Sequence, residues 1–219
     1  MRNYFMAKKK LSRFESSQVI SMFPTLVWKT QFKTKFYETI NKSIVKKLDE
    51  MTISLPKLIP DESWQSEQTL HTLEEFQELF DSVNSTASGV LEFLRIGYDA
   101  FEITSCWANI NTQGTGHRIH SHPNNFLSGV YYVQIPEGAN TINFHDPRLQ
   151  TGIIRPAVTQ LTSENTDQVV VEVKEGTFLL FPSWLQHSVD PGKIERSRIS
   201  ISFNLMFSAY TEKMSKPLL

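Results

Sequence analysis

Gly114-Thr-Gly-His-Arg-Ile-His-Ser-His-Pro-Asn-Asn-Phe-Leu-Ser-Gly-Val-Tyr-Tyr-Val133 carries three of the six histidines and closes on a run rich in strand-forming residues. In an extended strand, residues i and i+2 point to the same face. His120 and His122 are therefore expected to present two imidazoles side by side, with Ser121 turned away. Neutral imidazole is the commonest protein metal ligand, so the pair reads as half of a metal site on a β-scaffold.

Working outward, the chain downstream of this stretch predicts short strands and no helical periodicity. Strands are expected at 103–110, 127–135, 141–144, 168–173, 177–181 and 198–207. Pro136-Glu137-Gly138, Glu175-Gly176 and Asp190-Pro191-Gly192 supply turn chemistry between them. Many short strands without crossover helices make an antiparallel barrel or jelly roll.

Upstream the pattern differs. Phe23 to Trp28 reads as a first strand, with Pro24 near its start as an edge position permits. Phe36, Ile40, Ile44, Val45 and Leu48 give residues 36–51 an amphipathic helical face, and Lys42, Lys46 and Lys47 fall on its solvated side. Residues 56–64 read as a loop. Thr72 and Glu75 match a capping box opening a second helical region, with Leu73, Phe76, Leu79, Phe80 and Val83 as its apolar stripe. Val90, Leu91, Phe93 and Leu94 suggest another helix ending at Gly97. The expected class is α+β, a helical annex packed on one sheet of a barrel. Residues 1–19 are expected to be a basic tail, 20–208 a single domain (annex about 36–97, barrel about 98–208), and 209–219 a C-terminal tail.

Composition narrows the function classes. Lys and Arg total 22 against 23 Asp and Glu, so no overall field recruits nucleic acid or an anionic membrane. No apolar run has the length of a membrane span. The basic N-terminus lacks the apolar segment of a secretory signal. A single cysteine, Cys106, excludes an internal disulfide framework and suits a cytoplasmic location.

A second signal lies downstream in Gly176-Thr-Phe-Leu-Leu-Phe-Pro-Ser-Trp-Leu-Gln-His187, where a strand meets a turn at Pro182 and His187 follows. In Arg198-Ile-Ser-Ile-Ser-Phe-Asn204, Arg198, Ser200 and Ser202 share one face of an otherwise apolar strand. An arginine inside a barrel is costly unless it meets an anion, and its planar fork matches a carboxylate bidentately. The order His-x-His, distant His, then Arg describes a metal site beside an anion site. His71 reads as a surface or capping residue, His145 as a satisfied surface or strand-end residue, Cys106 as a buried small apolar residue, and Trp184 as packing at the barrel mouth.

Phe23-Pro-Thr, His120-x-His122-Pro, Ser128-Gly-Val-Tyr-Tyr, Asp146-Pro-Arg148, Phe181-Pro-Ser-Trp-Leu-x-His187 and Arg198-Ile-Ser-Ile-Ser-Phe-Asn204 together resemble a bacterial and phage-encoded subfamily of iron(II)- and 2-oxoglutarate-dependent oxygenases. The resemblance spans roughly residues 20–208. It implies a double-stranded β-helix, related to cupins and to prolyl hydroxylases. It also implies Fe(II) and 2-oxoglutarate as cofactors, with hydroxylation of a small-molecule or peptide substrate as 2-oxoglutarate is converted to succinate. On that resemblance His120, His122 and His187 are the iron ligands, and Arg198 clamps the distal carboxylate aided by Ser200 or Ser202. Tyr131 is expected to touch 2-oxoglutarate, with Asn109 as a further pocket residue; His117 is expected in a loop beside the metal or substrate, as is Trp184.

One departure stands out. His122 occupies the position that normally holds Asp or Glu, so three neutral imidazoles would leave the metal charge without an anionic ligand. Bound 2-oxoglutarate is one source of compensation; Asp146 as the carboxylate ligand is the other. The glycine, histidine and proline spacing also matches the cupin motifs, although the cupin glutamate is missing. A cupin-type metalloenzyme that does not use 2-oxoglutarate, a zinc hydrolase, and a metal-binding barrel without turnover are the competing classes.

Overall fold

The computed structural model describes residues 15–148, 153–154 and 156–211. Most of the expected basic tail, part of the loop after Arg148 and most of the C-terminal tail lie outside them. In chain order the regular elements begin with β1 (Trp28–Gln31), α1 (Thr34–Thr52), β2 (Ser63–Gln65), α2 (Gln77–Phe93) and β3 (Phe101–Asn111). They continue with β4 (His117–His120), β5 (Leu127–Gln134), β6 (Thr141–His145) and β7 (Gln168–Glu172). The last are β8 (Thr177–Pro182), β9 (His187–Val189), β10 (Arg198–Phe207) and α3 (Ser208–Thr211).

Two antiparallel sheets result. The larger runs β1-β8-β5-β10-β3-β2 and the smaller β4-β9-β6-β7. Side-chain parity explains how they pack. On β10 the odd residues Ile199, Ile201, Phe203 and Leu205 join Tyr131 and Val133 of β5 in a core with Ile44 of α1 and Val83 of α2. The even residues of β5, Val130 and Tyr132, instead join Leu179 and Phe181 of β8 and Ile142 and Phe144 of β6 between the sheets. A strand covered on both faces needs no polar alternation, which is why Leu127–Gln134 is buried at nearly every position. The helical annex therefore closes the outer face of the larger sheet, while its inner face looks into the barrel.

The N-terminal half departs from its expected form at several places. The Thr72/Glu75 capping box does not form. The Thr72 hydroxyl donates to the Thr69 carbonyl at 2.8 Å, and Glu75 pairs with Lys47 of α1 at 2.9 Å. Two short 3-10 turns, Leu70–Thr72 and Glu74–Phe76, then lead into α2. Lys47 thus links α1 to this segment instead of only facing solvent. The polar residues 84–89 continue α2 without a break, because Ala87 between them is fully buried against the sheet. At the N-terminal side the first strand starts at Trp28; Phe23 has φ 54° and is 90% exposed, so the Phe23-Pro24 segment precedes the sheet. Residues 63–65 pair with β3 as β2, although the expected loop ran to Trp64. No helix among the described residues is long and apolar enough to cross a membrane.

Gly129 in β5 marks the tightest strand contact. A Cβ there would lie 2.4 Å from Cζ of Phe203 and 2.7 Å from the Leu179 carbonyl oxygen. Gly129→Ala is expected to lower stability by about 1–3 kcal/mol in urea denaturation, the usual cost of overpacking. Adding Phe203→Leu should recover part of that loss; an unchanged denaturation midpoint in Gly129→Ala would contradict the close packing.

Candidate metal centre and anion pocket

His120 ends β4 and lies directly opposite His187, the first residue of β9. Phe144 of β6 flanks His187 on its other side. The smaller sheet therefore holds two imidazoles across a strand pair. His122 arrives differently: β4 has ended, and its N–H donates to the Ser183 carbonyl at 2.9 Å in the turn after β8. The expected sharing of one strand face by His120 and His122 is not what joins them. Pro123 follows, which cannot donate to a ladder, and the chain turns so that His122 swings over its neighbours. Ring centroids lie 4.3 Å apart for His120 and His187, 5.0 Å for His120 and His122, and 5.2 Å for His122 and His187. One ring nitrogen from each falls within 4.8 Å of the others.

The chemistry of this donor set suits a metal. Nδ1–H of His187 donates to the Leu185 carbonyl at 3.0 Å, and Nδ1–H of His120 to the Arg118 carbonyl at 2.7 Å. A carbonyl only accepts, so each ring carries its proton on Nδ1 and leaves the Nε2 lone pair free. Burial pushes His187 down to about 3 and His122 down to about 4, with His120 adding to both shifts. Both rings are neutral at pH 7, the form a metal requires.

Beside them the inward residues of β10 and β3 form a polar wall. Arg198, Ser200 and Ser202 line the same cavity as the three histidines, together with Asn109 and Trp107, and its volume is about 220 Å³. Arg198 is 3% exposed, and its Nε has no hydrogen-bond partner among the described residues. Its guanidinium carbon lies 5.2 Å from the centroid of the Tyr132 ring, whose hydroxyl is likewise buried without a partner. Burial pushes the guanidinium pKa down, with the neighbouring Tyr132 partly offsetting it. A buried cation with an unmet donor is expensive unless an anion joins it. Among the described residues no aspartate or glutamate lines the cavity.

The remaining expected site residues divide cleanly. Asn109 lies in the cavity and its Nδ2 donates to Ser202 Oγ at 3.2 Å. His117 opens β4 instead of lying in a loop; it lines the cavity and donates from Nε2 to Asn111 Oδ1 at 3.2 Å. Burial, with Arg198 and His120 adding to it, pushes His117 down to about 4. Tyr131 is misplaced by one residue: it faces the annex and donates its hydroxyl to Asn41 Oδ1 at 2.5 Å. Tyr132, opposite Ser200, is the tyrosine that lines the cavity. Nothing in two adjacent tyrosines says which one faces inward until the register with β10 is known. Asp146 does not join the metal group; both its carboxylate oxygens accept from the Arg148 guanidinium, at 2.9 and 2.7 Å. Trp184 is 55% exposed and does not line the cavity. Trp107 does, with its ring 5.8 Å from His122. Gln65 also lines the cavity and was missed because no strand was expected at 63–65. His145 Nε2 and Ser188 Oγ share a hydrogen bond at 2.9 Å, as a satisfied strand-end residue should.

Tyr131→Phe should cost about 1 kcal/mol of stability, the worth of one buried hydrogen bond, measured by chemical denaturation. The buried histidines also set a pH dependence for the metal-free protein. Their folded pKa values of about 3 to 4 lie below the unfolded value near 6.5. Within that window the unfolded chain binds more protons, so stability is full above it and falls as pH drops through it. Tm should therefore decrease steadily from pH 7.5 to 4.5, and His187→Gln should shallow the slope.

Comparison with known proteins agrees with this geometry. Residues 105–204 match the family model described as "Putative 2OG-Fe(II) oxygenase". A search of curated protein sequences finds no match. Among solved structures the fold is similar to a prolyl-4-hydroxylase of Pseudomonas putida, at 12% identity and TM-score 0.57, covering 83% of this chain and 93% of that one. It is also similar to a prolyl hydroxylase of Trichoplax adhaerens in complex with a hypoxia inducible factor peptide fragment, at 14% identity, TM-score 0.61 and 87% coverage of both chains. HygX of Streptomyces hygroscopicus, solved with nickel and 2-oxoglutarate, aligns at 12% identity and TM-score 0.57 over 84% of this chain and 83% of that one. The matched segment, residues 105–204, carries the three clustered histidines and Arg198, and the chain shares its fold with 2-oxoglutarate-dependent oxygenases.

Proposed function

We propose that the chain is an iron(II)- and 2-oxoglutarate-dependent oxygenase in which His120, His122 and His187 hold the iron and Arg198 anchors the distal carboxylate of 2-oxoglutarate. The observation that carries this reading is a buried guanidinium with an unmet Nε donor, in the same cavity as three clustered imidazoles. Bound iron would supply dioxygen activation, coupling decarboxylation of 2-oxoglutarate to succinate and CO2 with oxygen insertion into a substrate C–H bond.

The protein's own part is binding, orientation and exclusion of water. Arg198 offers parallel N–H donors that fit one carboxylate bidentately. Tyr132 places a second unused donor beside it, and Ser200 and Ser202 add hydroxyls on the same wall. Burial holds the Tyr132 phenol up at about 12, so it remains a donor throughout the neutral range. Carbonyl contacts from Leu185 and Arg118 fix two of the imidazole rings before any metal arrives. Val130, Ile142 and Phe181 form apolar walls that keep water from the reacting end. A cupin-type centre working without a dicarboxylate leaves Arg198 with no anion to meet.

The cavity, at about 220 Å³, is smaller than the roughly 300–1,000 Å³ of pockets that enclose drug-sized ligands. It suits a small dicarboxylate plus one reacting group of a substrate whose remainder stays outside. A small molecule or a peptide side chain both fit that description. Two similar structures illustrate the range, one solved with a peptide fragment and HygX with hygromycin B.

Under anaerobic conditions, Fe(II) and 2-oxoglutarate together should produce a visible charge-transfer band, and admitting oxygen should release succinate. Arg198→Ala should weaken 2-oxoglutarate binding by about 10- to 100-fold, the worth of a charged hydrogen-bonded contact, while metal affinity stays within a few-fold. Tyr132→Phe should weaken it less, and Tyr131→Phe not at all. Absence of both band and succinate, with Arg198→Ala indistinguishable from wild type, would sink the reading.

A further inference from the structure

Resting on the function proposed above, a further consequence follows from the charge of the cavity. Its lining contains four histidines and Arg198 but no carboxylate among the described residues. Asp146 is committed to Arg148, and Asp190, three residues after His187, accepts from Asn143 Nδ2 at 2.8 Å. A divalent cation entering here gains three neutral imidazoles, meets no anionic ligand and shares the space with an uncompensated guanidinium. A dicarboxylate entering alone meets the guanidinium but has no counter-charge at its other end. Each ion lacks the partner that only the other supplies.

We propose that His122 makes this centre load its metal and its 2-oxo dicarboxylate as a coupled pair, each binding weakly alone and each tightening the other. In a centre with an aspartate at this position, the protein itself would neutralise part of the metal charge and hold the ion before the cosubstrate arrives. With His122 that share of neutralisation falls to the cosubstrate. Linkage requires the coupling to be reciprocal: the factor by which the dianion raises metal affinity equals the factor by which the metal raises dianion affinity. His122 is thereby a specificity-determining residue as well as a candidate ligand. Monoanions, or dicarboxylates without a chelating 2-oxo acid end, should recruit the metal poorly.

Mn(II) titration by electron paramagnetic resonance tests this without turnover. In wild-type protein, saturating 2-oxoglutarate should lower the Mn(II) Kd by about 10- to 100-fold, the upper range of typical coupling, and glutarate should do so by no more than a few-fold. Calorimetric titration of 2-oxoglutarate into metal-free and Mn(II)-loaded protein should return the same factor. His122→Asp should bind Mn(II) more tightly alone and show coupling reduced to a few-fold. His122→Glu serves the same purpose if the aspartate variant fails to fold, and the wild-type titrations decide the coupling by themselves. Tight 2-oxoglutarate binding with an Mn(II) Kd unchanged by it would overturn the coupling while leaving the oxygenase reading intact. No 2-oxoglutarate binding with or without metal would overturn both.

Discussion

Strand β10 is hydrogen-bonded along most of its length to β5 on one side and β3 on the other, and this double pairing assigns a face to every residue of the polar wall. Ser200 lies opposite Tyr132 and Asn109, and Ser202 opposite Val130 and Trp107. A slip of one residue would exchange the polar wall for Ile199, Ile201 and Phe203 and send Arg198 toward the helices. The odd residues pack on α1 and α2, so such a slip would lose the outer core as well. Burial on both faces thus enforces the register on which the candidate centre depends.

A buried polar chain carries that order to the metal-facing loop. Ser128 of β5 donates to Asn204 Oδ1 at 2.6 Å and lies 2.9 Å from Ser183 Oγ, while Asn204 Nδ2 donates to Ser105 Oγ at 2.9 Å. The Ser183 carbonyl in turn accepts the His122 N–H. Three strands of the larger sheet and the turn after β8 are therefore joined to the loop that presents His122. Fully satisfied buried networks are rigid and specific, which suits a residue that no strand holds in place. His120 and His187 need less help because the β4–β9 pairing sets them opposite each other.

Electrostatically the cavity is unusual in what it omits. Its cation is buried, the His122 and His187 imidazoles are neutral and its lining has no acid among the described residues. Such a site is poorly matched to water, which would screen the guanidinium only by occupying the space meant for ligand. Its two unmet buried donors among the described residues, Arg198 Nε and the Tyr132 hydroxyl, belong to side chains that line the same cavity, with the guanidinium carbon 5.2 Å from the tyrosine ring centroid.

The local sequence alone carried the barrel class, the helical annex, the longer strands and the set of residue types at the centre, but not the short strands β2, β4 and β9. Alternation along 198–207 expresses short-range periodicity, which is legible without tertiary information. The Thr72/Glu75 capping box misled because Glu75 pairs with Lys47 on another helix and the Thr72 hydroxyl turns back to the Thr69 carbonyl. The choice between Tyr131 and Tyr132 was not legible, since both fit a doubly buried strand and only pairing with β10 orients them. Asp146 could be set apart from the centre only in three dimensions, where Arg148 takes its carboxylate. His122 joins the cluster by a chain reversal held by the Ser183 carbonyl, a contact between residues distant in sequence. Residue identity and period determined which groups were available to the centre; long-range pairing decided which of them face one another, because a side chain's direction follows from its strand's register and not from its own neighbours.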